Sequence, residues 1–277
     1  MPIVARKAEY PLRLQPMARF RRRPTRGAIT CGDALQFLRQ LPDRSADLVF
    51  LDPPFNLGKE YSIRRPGLDA RPEAQYRDWL NSVVDESVRI LSEGGALYVY
   101  HLPIWAMRVA SRLDATLTFR HWIAVSMKNG FARGMRLYPA HYALLMFTRG
   151  TPLQFRRPLL RPQVCRHCGK LIKDYGGYRS IIESKGLNLS DVWDDLSPVR
   201  HRTVKTRRAN ELPRTLFSRI FAISGRKGGL YVDPFGGSGA GVIAAVQAGM
   251  TFACCDLLRT NCTLITRRVV ALSPKGA

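Results

Sequence analysis

Residues 230–248 read LYVDPFGGSGAGVIAAVQA. The first three are apolar and strand-prone, and they run into Asp233-Pro234-Phe235-Gly236-Gly237-Ser238-Gly239. Small apolar residues from Ala240 to Ala248 then predict a helix. In a strand, glycine turn and helix, the glycines let the backbone turn tightly and approach a ligand without a Cβ clash, and the helix start offers unpaired N–H groups. Phe252–Cys255 predicts the next strand, which closes on Asp256, seventeen residues past Gly239. An acid at that place in an open α/β sheet accepts hydrogen bonds from a ribose. No Lys-Ser or Lys-Thr follows the glycines, which disfavours a phosphate-cradling loop.

Upstream, Ala46–Leu51 (ADLVFL) predicts a buried strand stopped by Asp52-Pro53-Pro54-Phe55. Open α/β sheets bind ligands at such strand ends. Proline has no N–H and a fixed φ, so the segment is stiff and its carbonyls are free to accept. A carboxylate beside a free carbonyl suits an exocyclic NH2 with two protons to donate, and Phe55 offers a face for a base to stack on. Taken singly, each motif also fits ordinary turn chemistry; together they are far more specific.

The rest of the chain fits around these two strand ends. Helical spacing runs over 75–91, Gly94-Gly95 ends it, and Ala96–Tyr100 predicts a strand. Pro103–Leu113 predicts a helix, and His121–Ser126 and Tyr142–Phe147 two more strands. This alternation predicts a parallel α/β sheet covered on both faces. Residues 151–230 break the rhythm with an excess of Lys and Arg. Trp193 is expected in the core.

Charge bounds the partner. Among 277 residues, 44 Lys+Arg face 21 Asp+Glu, a net +23. That surplus points to a polyanion, nucleic acid first and a membrane surface second. No run approaches the roughly 18 apolar residues of a spanning helix. The N-terminus lacks an apolar h-region, so no signal peptide and a cytoplasmic location are expected. Residues 1–27 carry eight basic residues and one acid and read as a basic arm. Arg200, Arg202, Lys205, Arg207 and Arg208 are expected to form a DNA-facing stripe. Adjacent Cys254 and Cys255 read as buried thiols. Cys165 and Cys168 look like half a zinc knuckle, but a closed site takes four ligands and no second such pair follows, so no metal is expected.

With both motifs in place, residues 28–270 resemble the amino-methylating DNA methyltransferases in which the catalytic motif precedes the cofactor motif, the beta class. Gly32-Asp33-Ala34-Leu35, Leu41-Pro42-Asp43 and Asp47-Leu48-Val49 match its opening, and Arg89-Ile90-Leu91 with Gly94-Gly95 its next unit. His141–Arg149, Val192-Trp193, His201 and Lys205 are similar to later landmarks. DPFGGSGAG resembles DPFxGSGTT, with Ala240-Gly241 in place of two threonines, and Asn210–Pro213 replaces a more typical basic-proline stretch.

The resemblance implies a Rossmann-like S-adenosylmethionine-dependent methyltransferase sheet with permuted motif order. Residues 28–150 would be the catalytic half, 151–200 a target-recognition region and 201–277 the cofactor half. It implies that Asp52 and the Pro53 carbonyl hold the target amino group, with Pro54 stiffening the loop and Phe55 stacked on a flipped base. Asp233, Phe235, Gly237 and Gly239 would line the cofactor, Asp256 its ribose and Asp33 its adenine. Asp at the first motif position points to N6 of adenine in double-stranded DNA. N4 of cytosine, the same chemistry on RNA and a non-catalytic nucleic-acid binder remain alternatives. A homodimer and a restriction-modification setting are further implications.

Overall fold

The structure is a computed structural model and describes residues 15–21, 25–57, 69–126, 135, 137, 139–165, 167–171, 175–196 and 211–272. Its first half holds strands Ala18–Phe20 (β1) and Gly27–Cys31 (β2), helix Ala34–Arg39 (α1), strand Ala46–Leu51 (β3) and helix Glu73–Ile90 (α2). Strand Leu91–His101 (β4), helix Pro103–Asp114 (α3) and strands Thr118–Ser126 (β5) and His141–Thr148 (β6) follow. Next come strand Leu159–Leu160 (β7), helix Arg179–Lys185 (α4) and strands Leu187–Asn188 (β8) and Val192–Trp193 (β9). The last part is helix Arg214–Ser224 (α5), strand Leu230–Asp233 (β10), helix Ala240–Gln247 (α6), strand Thr251–Asp256 (β11) and helix Arg259–Leu272 (α7).

Nine strands form one sheet in the order β1-β2-β11-β10-β3-β4-β6-β5-β9. The run from β2 to β4 is parallel. The sheet is mostly parallel, as expected, with two departures: β6 is antiparallel to both neighbours and β1 is antiparallel to β2. The crossover through α3 carries the chain from β4 past one strand position to β5, and β6 fills the gap. Ala143–Phe147 of β6 is buried throughout. A strand covered on both faces reads as a continuous apolar run in either direction, so the sequence pattern does not reveal its polarity.

Helices α1, α2 and α3 cover one face through Phe37, Leu38, Leu80, Val83 and Trp105. Helices α5, α6 and α7 cover the other through Phe217, Ile220, Val242 and Ile265. Crossovers of one hand on opposite faces travel in opposite directions. The chain therefore moves outward from β3 to β4 on the first face and the other way from β10 to β11 on the second. Strands β3 and β10 end up adjacent, paired at Leu48↔Tyr231 and Val49↔Val232. Asp47 fixes that pairing: its carboxylate accepts from the Leu230 N–H at 2.7 Å and the Arg226 guanidinium at 2.8 Å. Two adjacent parallel strands whose connections diverge create a crevice at their C-terminal ends, where open α/β sheets bind ligands.

Two of the segments set apart in the sequence contribute strands to the main sheet. Ala18–Phe20, inside the segment read as an arm, is an edge strand on β2. Residues 151–200 hold a small exposed unit of β7, β8 and α4, yet their last strand, β9, pairs with β5 in the main sheet. Trp193 on β9 is 1% exposed, a core residue as expected, as are the buried thiols of Cys254 and Cys255. Arg200, Arg202, Lys205, Arg207 and Arg208 lie outside the described residues, as do His201 and Asn210.

Candidate active site

Strand β3 delivers Asp52 half-buried at the crevice, followed by buried Pro53. The loop beyond is clamped to the segment that leads into α2. Asn56 takes φ +57°, a left-handed conformation that Asn tolerates better than most residues. Its side chain donates to the Arg71 carbonyl at 2.9 Å and accepts from the Arg71 N–H at 2.8 Å. Buried Asp69 accepts from the N–H groups of Asn56 at 2.6 Å and Leu57 at 3.1 Å. Phe55 stacks on His101 at 4.8 Å and touches Tyr142 at 5.6 Å. The ring is buried among these aromatic neighbours, with His101 on one face.

Across the crevice, Asp233 ends β10. It accepts from the Tyr231 hydroxyl at 3.0 Å and from the Phe235 N–H at 3.0 Å. Asp256 ends β11 and holds the glycine loop: one oxygen accepts from the Gly237 N–H at 2.8 Å, the other from the Leu258 N–H at 2.8 Å and the Asn261 amide at 3.0 Å. Gly237 and Gly239 have φ of +53° and +79°, values a residue with Cβ adopts at a cost. The Ala240-Gly241 departure has a local cause. A Cβ at Gly241 would lie 2.2 Å from the Tyr231 hydroxyl oxygen, the group that serves Asp233. Asp33 follows β2, where the neighbouring Gly32 N–H donates to the Asp256 carbonyl at 3.1 Å. Its carboxylate caps α1 by accepting from the Gln36 N–H at 3.0 Å.

Asp33, Asp256, Asp233 and Asp52 therefore stand at or just past the C-terminal ends of four adjacent parallel strands, β2, β11, β10 and β3. Burial, helped by the charges of Asp52 and Asp256, pushes the Asp233 carboxyl up to about 7 against the hydrogen bonds from Tyr231 and Phe235. Burial and then the Asp52 charge also raise the Tyr100 and Tyr142 hydroxyls. This acidic crevice in a strongly basic chain suits a ligand that is cationic and rich in hydroxyl and amino donors. Trp79 of α2 meets Phe235 edge-on at 6.0 Å and carries the Arg71 guanidinium 4.6 Å over its ring.

The structure thus brings Asp33, Asp52, Pro53, Pro54, Phe55, Asp233, Phe235, Gly237, Gly239 and Asp256 to one end of the sheet. Sequence reasoning missed Asn56, Asp69, Tyr76, Trp79, His101 and Tyr231. Asn56 follows DPPF directly and was the one findable neighbour, as a residue suited to positive φ. Tyr76 and Trp79 carry the same helical spacing as core residues. Among the described residues, no group of three or more His, Cys, Asp or Glu is arranged to hold a metal.

Residues 46–267 match a family model described as DNA methylase, of the N6/N4 methyltransferase type. The Type II methyltransferase M.BamHI of Bacillus amyloliquefaciens is 41% identical over 244 residues, 88% of this chain and 57% of that protein. The chain thus spans little more than half of that relative's length. Among solved structures, PvuII DNA methyltransferase (cytosine-N4-specific) superimposes with a TM-score of 0.63 at 15% identity, covering 91% of this chain and 88% of that one. The Thermus thermophilus protein TTHA0409, solved in complex with S-adenosyl-L-methionine, gives a TM-score of 0.57 at 19% identity over 90% of this chain and 96% of that one.

Proposed function

The chain belongs to the DNA methylase family, and from that premise we propose that it transfers the methyl group of S-adenosylmethionine to the N6 amino group of adenine in duplex DNA. The observation that carries this reading is the crevice between β3 and β10. It sets Asp52 and Pro53 on one side and Asp233, the glycine loop and Asp256 on the other. The four carboxylates fit a cofactor that bears sulfonium and ammonium charges and ribose hydroxyls. Asp256 would hold the ribose, Asp33 the adenine, and Asp233 with Phe235, Gly237 and Gly239 the methionine side.

When bound, the cofactor supplies an electrophilic methyl group on a positively charged sulfur. The protein's own task is to prepare the nitrogen. An exocyclic amine conjugated to its ring is a poor nucleophile. Hydrogen bonds from both of its protons to the Asp52 carboxylate and the Pro53 carbonyl favour a tetrahedral nitrogen with an available lone pair. Asp52 would also accept the proton that the nitrogen releases. Positioning and fixed charge supply the acceleration. The amino group is hidden in a duplex, so the base must be turned out of the stack. The basic surplus, Arg200, Arg202, Lys205, Arg207 and Arg208 included, would hold the DNA backbone.

The choice of base rests on Asp, rather than Ser, at position 52. The fold is shared with a cytosine-N4-specific enzyme, so the fold does not choose. Duplex DNA incubated with labelled cofactor and digested to nucleosides is expected to yield N6-methyladenine. N4-methylcytosine would overturn the base and leave amino transfer standing; no labelled nucleoside would overturn the function.

Asp233 makes cofactor affinity depend on pH. A cation binds the ionised carboxylate, whose value is pushed up to about 7. Affinity should therefore fall as pH drops below that value, by up to about tenfold per pH unit. Folding has the opposite sign. The folded value lies above the ordinary 3.8, so the contribution of protonated Asp233 to stability is full below about 4 and lost as pH rises through about 7. Calorimetric titrations across this range test the coupling, and a flat affinity would remove Asp233 from the cofactor site.

A further inference from the structure

Behind Asp52–Phe55 lies a chain of hydrogen bonds that the methyl-transfer mechanism above leaves unused. His101, fully buried at the end of β4, accepts at Nδ1 from the Leu102 N–H at 2.7 Å. The Tyr76 hydroxyl, projecting from α2, lies 2.7 Å from His101 Nε2 and donates to the Pro54 carbonyl at 2.5 Å. The directions follow from the groups themselves. The Leu102 N–H is a donor, so Nδ1 carries no proton; the neutral ring then holds its proton on Nε2, and that N–H donates to the Tyr76 oxygen. The Pro54 carbonyl can only accept, so the Tyr76 hydroxyl donates to it. Burial lowers the imidazole to about 3, so the ring stays neutral at working pH. A protonated ring would also set a second N–H against that of Leu102. His101 grips the loop a second time, through its stack on Phe55.

We propose that Tyr76 and His101 are positioning residues for methyl transfer: the relay from the Leu102 amide through His101 and Tyr76 to the Pro54 carbonyl fixes the Pro53–Phe55 backbone, and with it the aim of Asp52 and the Pro53 carbonyl at the amino group. The proposal rests on the methyl-transfer reading. Its physical basis is that the loop is anchored on both sides of Phe55, by Asp69 and the Asn56–Arg71 pair beyond it and by the relay at Pro54 before it. A misplacement of about 1 Å costs on the order of 10²-fold in rate.

Tyr76→Phe removes one oxygen and keeps the ring. It should lower kcat by about tenfold to a hundredfold and leave cofactor Kd and DNA KM nearly unchanged. Amide exchange at Asn56 and Leu57, whose N–H groups are held by Asp69, should quicken while β3 and β4 stay protected. His101→Leu should behave alike, and His101→Gln, whose amide can still donate to Tyr76, should recover most of the lost kcat. Members of one relay are not additive, so the Tyr76→Phe, His101→Leu double variant should be no slower than the slower single. Tyr76→Phe with wild-type kcat and unchanged exchange would overturn the proposal, as would a change confined to KM, or His101→Gln as slow as His101→Leu. If Tyr76→Phe does not fold, the two His101 variants decide. If the wild-type protein methylates no DNA, the methyl-transfer reading fails by itself, and the exchange measurement still decides whether the relay holds the loop.

Discussion

Asp52→Ala should lower the rate of methyl transfer on the order of 10³-fold, the scale seen when one fixed electrostatic partner of a transition state is removed. Duplex DNA should still bind, because Asp52 contributes no positive charge to the backbone contacts. Cofactor affinity should survive too, with a shifted pH dependence. The Asp52 charge is one of the causes that raise the Asp233 carboxyl, so its removal should move the pH at which cofactor binding weakens to a lower value. Asp52→Asn should rescue little, since its amide presents an NH2 as readily as an acceptor. Single-turnover assays with labelled cofactor, run beside calorimetry, separate these effects. A normal rate in Asp52→Ala would mean that the nitrogen is activated by something other than the Asp52–Pro53 pair.

The second large effect is expected at Asp256. Asp256→Ala would remove the proposed ribose contacts, and charge-assisted hydrogen bonds of that kind are worth roughly 1.5–3 kcal/mol each. A loss of cofactor affinity of at least about tenfold should follow. The structure adds a second cost. The Asp256 carboxylate also holds the N–H groups of Gly237 and Leu258 and the amide of Asn261. Buried donors left unpaired cost about 1–3 kcal/mol apiece, so this variant should also unfold at a lower temperature. Asp33→Ala makes a useful contrast, because Asp33 caps a short helix by a single bond. Affinity in Asp256→Ala equal to that of the unaltered chain would place the cofactor elsewhere.

Much of the site was legible because its parts are local. Asp52-Pro53-Pro54-Phe55 and Asp233–Gly239 each lie within a few residues at a strand end, and strand ends show in a sequence as apolar runs that stop at turn residues. Asp256 was legible in the same way, whereas Asp33 came only with the family resemblance. What supports those motifs was not legible. His101 closes a buried apolar strand, Tyr76 sits on the core stripe of a helix, and Asp69 lies thirteen residues beyond Asn56. Nothing in their spacing says that they meet.

The sequence by itself determined the alternation of strands and helices, the two strand ends that carry chemistry, the basic balance and the family resemblance. These depend on the period of apolar residues, on turn-forming residues and on charge, all of which are properties of neighbours along the chain. Tertiary structure alone decided that β10, near the end of the chain, pairs beside β3 near its beginning, and that β6 runs antiparallel between β4 and β5. It alone decided that Tyr231 fills the space left by Gly241 and that Tyr76 joins His101 to the loop at Pro54. A strand buried on both faces presents the same apolar run whatever its neighbour or direction, so strand order is settled by the handedness of crossovers and by packing on two faces rather than by local pattern.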